Sequence, residues 1–161
     1  MQKRLKKTLK YVILLKIYNI YTRSGVKLFK FNQVFNEDKI LSLGGVELAF
    51  VGDAVYSLYV REKLAYESTA KSGELNKMAS SIVCAKAQAN RYDEIADYLT
   101  EDEKAIFLKA RNAKKGTKAK NASIGEYNKS TGFEAVIGYL YLTGNYERLD
   151  FLLNLEKKNE D

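Results

Sequence analysis

The strongest constraint on this chain is a pair of almost uncharged stretches, each interrupted by one acid. Leu48 to Val60 reads LAFVGDAVYSLYV, thirteen residues in which Asp53 is the only charge. Phe133 to Leu142 reads FEAVIGYLYL, with Glu134 as its only charge. A segment apolar on all sides belongs in a core. A lone carboxylate among apolar neighbours costs several kcal/mol or more unless something compensates it. Both acids are therefore expected to be buried and, although about 80 residues apart, to meet. The natural compensator for two carboxylates is a hard divalent cation such as magnesium. The plainer alternative is that lysines or backbone groups satisfy each acid separately.

What else the chain lacks narrows the chemistry. Among its 161 residues there is no histidine, which excludes a Ser-His-Asp triad, a Cys-His dyad and histidine-bound zinc. Acid–base or metal chemistry is left to carboxylates, lysines, hydroxyls and one cysteine. A single cysteine cannot form an internal disulfide and fits a reducing compartment. Cys84, in SSIVCAKAQA, reads as a small buried core residue. No run approaches the roughly 18–20 apolar residues of a membrane span, so no membrane partner is expected.

The net charge of +7 is uneven. Residues 1–36 hold nine Lys/Arg and no acid, which leaves 37–161 nearly neutral. Residues 1–40 are therefore read as a basic N-terminal extension, helical or disordered or a start-site artefact. Residues 41–161 are read as the folded domain. Within that domain Lys109, Arg111, Lys114, Lys115, Lys118, Lys120 and Lys129 face a single acid, Glu126, over 21 residues. Such a patch is the electrostatic footprint of a polyanion-binding surface, although a solvated loop has the same composition.

The pattern along the body is helical throughout. Gly44-Gly45 precede a helix to about Leu64, and Ser72-Gly73 precede one to about Arg91. Thr100 with Glu103 forms a capping box that opens a third helix; Ser123 with Glu126 forms another. The helix after Ser123 should end near Thr143, with Gly144 as its cap, and a last helix follows from about Tyr146. The segment 111–122, RNAKKGTKAKNA, has no apolar period and reads as a loop. No alternating strand pattern of useful length occurs, so the fold class is all-α.

On a helix Asp53 shares its face with Ala49, Phe50, Tyr56 and Ser57, and Glu134 shares its face with Ser130, Thr131, Ile137 and Gly138. Gly52 and Gly138 each cost about 1 kcal/mol of helix propensity relative to Ala. Glycines there make sense if two core helices cross closely and bring one carboxylate each to a common site. Beside a lysine-rich loop, such a pair suggests metal-assisted phosphodiester hydrolysis.

These residues also carry a resemblance. Leu48-Ala49-Phe50-Val51-Gly52-Asp53-Ala54-Val55 resembles the ribonuclease III signature, and Phe133 to Leu142 resembles that family's second acidic motif. The compact Mini-III branch is similar in GDAVYSLYVR (52–61), AKAQA (85–89), RNAK (111–114), KNA (120–122) and STGFEAVIGYLYLTG (130–144). The resemblance covers about residues 41–155. It departs from the full-length enzymes at Ala49, where they usually carry Glu, and at Thr131, where they usually carry Asp, as expected for this branch.

The resemblance implies a ribonuclease III-type helical catalytic domain without a separate double-stranded-RNA-binding domain. It implies a magnesium-dependent endoribonuclease acting on double-stranded RNA in the cytoplasm, with precursor large-subunit (23S) ribosomal RNA as substrate. It further implies a homodimer with one site per strand, and a large-subunit ribosomal protein is a further expected partner. Asp53 and Glu134 are then both catalytic and metal-binding. Arg111, Asn112, Lys114, Lys118, Lys120 and Asn121 are the expected RNA contacts. The rival expectation is the same fold used as a non-catalytic RNA-binding or ribosome-assembly module.

Overall fold

A computed structural model describes residues 35–114 and 122–155. Among these residues every regular element is helical, as the patterning predicts. The helices are α1 (Glu37–Ser42), α2 (Gly45–Glu67), α3 (Ser72–Ile82), α4 (Ala85–Ile95), α5 (Glu101–Arg111), α6 (Ile124–Leu142) and α7 (Tyr146–Asn154). A short 3₁₀ turn, Ala96–Tyr98, follows α4.

Local chemistry sets most of these boundaries. Both capping boxes form: Thr100 and Ser123 accept from the amides of Glu103 and Glu126, whose carboxylates bind back to the cap amides. The hydrogen bond from the Ser123 amide holds the Glu126 carboxyl below its ordinary range. At the end of α6 the amide of Gly144 donates to Tyr141 and that of Asn145 to Leu140. Gly144 has φ +74°, so this is the two-bond stop in which a left-handed residue favours glycine.

Helix α6 is the central element and packs against α2, α4, α5 and α7. Its Phe133, Val136, Ile137 and Leu140 are at most 1% exposed. They join Tyr56 and Val60 of α2, Ile95 of α4, Phe107 of α5 and Leu149, Leu152 and Leu153 of α7. Tyr56 meets the Phe133 ring edge-on at 5.0 Å, and Tyr92 stacks on Phe107 at 3.8 Å. Tyr59 and Tyr141 pack at the margin of this core. A smaller cluster joins Ile40, Leu48, Ala49, Ala110, Ala135 and Leu142, with Phe35 packed against it. The helical body thus includes Phe35 to Ile40, the end of the stretch read as extension; the rest of that extension lies outside the described residues.

Two expectations fail here. The single helix expected from Ser72 to about Arg91 is two helices, α3 and α4, broken at Val83-Cys84. Cys84 is consequently not in the core: it is exposed at the N-cap of α4, on the corner between them. No glycine or proline marks that corner. Among the described residues no helix is long and apolar enough to cross a membrane.

Candidate active site

The site begins with the crossing of α2 and α6. A Cβ placed on Gly52 would fall on the backbone carbonyl oxygen of Glu134, and one placed on Gly138 would fall on that of Leu48. The two helices therefore touch backbone to backbone, and only glycine permits it at these positions. This is the close approach expected from the sequence. Its consequence is local: Asp53 follows Gly52, and the residue lying against Gly52 is Glu134 itself.

Asp53 and Glu134 line one concavity of about 610 Å³. Its walls come from the start of α2 (Gly44 to Glu47, Ala49, Phe50), the corner before α4 (Val83, Ala85, Gln88) and the first half of α6 (Tyr127, Ser130, Thr131). Ala113 and Lys114 close it from the end of α5. The two acids thus do converge, but not as buried groups. Asp53 is exposed and Glu134 is partly exposed. The apolar stretch around Asp53 has one face in the core, at Leu48, Gly52, Tyr56 and Val60, and another in solvent, at Phe50, Ala54 and Leu58. Burial of a bare carboxylate is avoided because the acid sits on the rim between those faces.

The positions where an additional acid might be sought are Ala49 and Thr131. Ala49 is buried and forms part of the wall. The Thr131 and Ser130 hydroxyls both donate to the carbonyl of Tyr127, at 2.9 Å each, so their protons are used within α6. Glu47 also lines the concavity. Even so, among the described residues no three acid, cysteine or histidine groups cluster as a metal cage. Two oxygen-donor acids lining one concavity match the needs of a hard cation that takes one or two carboxylates and completes its shell with water and phosphate.

The expected RNA contacts divide. Lys114 is exposed and stands in the same concavity as the acids. Arg111 is the last residue of α5 and Asn112 its cap, both exposed and neither among the walls. Lys118, Lys120 and Asn121 lie outside the described residues. Sequence reasoning missed Gln88. Gln88, Tyr92 and Ile95 recur at the spacing of one helix face, and Ile95 is buried, so a carboxamide on that stripe was a readable signal.

Comparison with known proteins agrees with this architecture. The ribonuclease III domain family matches residues 46–145. The chain is 43% identical over 123 residues to Mini-ribonuclease 3 of Thermoanaerobacter sp. (strain X514), covering 76% of this chain and 87% of that protein. It is 46% identical over 114 residues to Mini-ribonuclease 3 of Streptococcus pneumoniae, covering 70% and 89%. Mini-ribonuclease 3 of Staphylococcus aureus is 41% identical over 125 residues, covering 76% and 92%. Among solved structures, a Fusobacterium nucleatum protein superposes with a TM-score of 0.66 at 34% identity, over 70% of this chain and 92% of that one.

Proposed function

This chain belongs to the ribonuclease III family, in its Mini-ribonuclease 3 branch, and is an endoribonuclease; from that premise we propose that Asp53 and Glu134 are its catalytic, cation-binding acids. The observation that carries the assignment is their placement on two different helices, in one concavity, beside a contact where the two backbones touch.

Magnesium is the cation these donors suit, held by Asp53 and Glu134; when bound it lowers the pKa of a coordinated water and offsets phosphate charge. The protein supplies the rest. The crossing fixes the spacing of the two carboxylates. Lys114, which lines the same concavity, offsets their repulsion of an incoming phosphodiester. Arg111, Asn112, Lys118, Lys120 and Asn121 are the further proposed contacts to the RNA backbone. Duplex RNA suits a surface of this kind, because A-form helices are recognised through shape, phosphates and 2′-hydroxyls.

The second half of the proposal is a homodimer. Val46, Phe50, Ala54 and Leu58 recur every four residues along α2 and are all exposed, Phe50 by 80%. An apolar stripe of that length on a helix that also carries a catalytic acid suits pairing with a second copy, with one site for each strand. The proposed substrate is precursor 23S ribosomal RNA, which places the enzyme in the cytoplasm and beside large-subunit ribosomal proteins.

The test is cleavage of an end-labelled RNA duplex and of a precursor 23S transcript, in magnesium and in chelator, with solution mass read on the same protein. Wild type should cut only in magnesium and sediment as a dimer. Asp53→Asn and Glu134→Gln should bind but lose about 10³-fold or more in rate, equivalent to the several kcal/mol such a site contributes. Wild type that binds without cutting, or variants that cut normally, would remove the assignment. A monomer would remove the paired-site arrangement.

A further inference from the structure

The concavity has one wall that the two acids do not explain. Helix α4 starts there, and its N-cap side chain makes no hydrogen bond to the first turn. An N-cap is usually Ser, Thr, Asp or Asn, whose oxygen accepts from the first amides. Here the N-cap is Cys84, and it makes no such bond. Its thiol donates to the carbonyl of Ser81 at 3.3 Å. The first amides of a helix have no partner within it and lie at the positive end of its dipole. Ala85, the first helical residue, and Gln88, one turn in, both line the concavity.

Gln88 is the second, independent observation. It is 1% exposed, and its Nε2 is buried without a hydrogen-bond partner among the described residues. Buried donors are nearly always paired, so an unpaired one calls for a reason. The hydroxyls of Ser130 and Thr131 donate to Tyr127, and among the described residues neither oxygen accepts from Gln88. A leucine would fill the same space without a polar group to satisfy.

We propose that the first turn of α4 and the Gln88 side-chain amide form a phosphate subsite that seats an RNA backbone phosphate beside Asp53 and Glu134. The inference rests on the nuclease reading above and adds a partner for the phosphate to it. The donors on this wall are the amides of the first turn and the carboxamide N–H of Gln88. None carries a full charge, and Lys114, which lines the same concavity, supplies one. The need for such a seat follows from the site itself. Two carboxylates repel the phosphodiester they are meant to cut, and donors held in a helix start are the common protein answer to that problem. Gln88 acts here as a positioning residue, through the phosphate it orients.

Two variants test this from opposite directions. Gln88→Leu removes the donor but keeps the volume. Cys84→Asn adds a neutral N-cap, so that the first-turn amides are taken by the protein itself. Both should leave the free protein at least as stable as wild type, and Cys84→Asn should raise Tm by about 2–4 °C. Yet each should weaken binding of a short RNA duplex in chelator by about 10-fold or more, as expected for a lost bond to a charged group. In magnesium, kcat/KM should fall at least as far.

A residue with a merely structural role would not give that combination of unchanged or raised stability and lost binding. Unchanged duplex binding by both variants overturns the subsite, even where wild type cuts RNA normally. Wild type that fails to cut, while both variants still lose binding, overturns the nuclease reading and leaves the phosphate seat standing. If Gln88→Leu is less stable than wild type, the Cys84→Asn result alone decides.

Discussion

Gly52 and Asp53 are consecutive residues on one helix, and they live under opposite rules. Gly52 lies at the α2–α6 crossing, where there is no room for a single added carbon. Asp53 lies on the rim of the concavity, exposed to solvent. Glu134 spans both regions: its carbonyl oxygen presses on Gly52 while its side chain joins the concavity. The crossing is closed by sterics and tolerates no change in shape. The rim is open in shape, and the proposed chemistry leaves it no freedom to change its acids. On that proposal stability and reactivity are assigned to neighbouring residues, and substitutions one position apart should fail in different ways.

The largest effect should come from the closed region. Gly52→Val or Gly138→Val places side-chain atoms on a backbone carbonyl of the facing helix. Relief requires the helices to part, and that opens the core around Phe133, Val136, Ile137 and Leu140. A cost above about 4–5 kcal/mol is expected, which consumes much of the stability of a domain this size. Thermal melts by circular dichroism should show little native protein at 37 °C. Asp53→Asn, one residue away, should shift stability by no more than about 0.5 kcal/mol, as surface changes usually do. A folded Gly52→Val protein, or an unfolded Asp53→Asn protein, would break the comparison.

The two regions also differ in how far the sequence revealed them. The crossing was legible because helix glycines in an apolar run are costly and need a reason. The capping boxes were legible because their chemistry is local. The exposure of Asp53 was not legible. Thirteen nearly uncharged residues on α2 suggest burial on all sides, yet Leu48, Gly52, Tyr56 and Val60 form the buried ladder while Phe50, Ala54 and Leu58 face solvent. A single chain's pattern does not distinguish a core face from a face suited to a second copy. The corner at Val83-Cys84 was illegible for a different reason: no breaker residue stands where α3 ends. With that corner went the position of Cys84 and the place of Gln88 in the wall.

A charged pair inside the fold sharpens the contrast, because there charge serves stability. Glu103 of α5 accepts from Nε and Nη2 of Arg148 on α7 at 2.9 and 2.8 Å, and Arg148 also donates to the Tyr98 carbonyl. Burial opposes the charge on Glu103, but the bonds from Arg148 and from the Thr100 amide outweigh it and hold the carboxyl below its ordinary range. Its folded pKa is thus lower than its unfolded one, so the unfolded chain binds more protons. This contribution is fully present above the ordinary glutamate value of about 4.3 and is lost as pH falls through the depressed folded value. Arg148→Met should cost about 2–3 kcal/mol near neutral pH, somewhat less than a fully buried pair because Arg148 is partly exposed. Its deficit should shrink as pH falls, because burial without Arg148 raises the Glu103 pKa so that the lone carboxyl takes up a proton, and because the wild-type pair is itself lost in acid. A deficit that stays constant in acid melts would show that the ion pair is not its source.

The smallest effects belong to the open side of the rim. Lys114 shares the concavity with the two acids, whereas Arg111 stands outside it at the end of α5. Both are exposed, so alanine at either should leave stability within about 0.5 kcal/mol of wild type. Their binding effects should be alike in kind, since a phosphate contact releases counterions wherever on the backbone it is made. Each alanine should weaken duplex binding and reduce the slope of log affinity against log salt by about 1. They should part in catalysis. Lys114 offsets the two carboxylates at the place where the phosphate must sit, so Lys114→Ala should lower kcat as well as affinity. Arg111 only holds the duplex, so Arg111→Ala should raise KM and leave kcat unchanged. Identical kcat values for the two variants would mean that the rim does not separate seating the phosphate from holding the duplex, and that Lys114 acts only as one more basic contact.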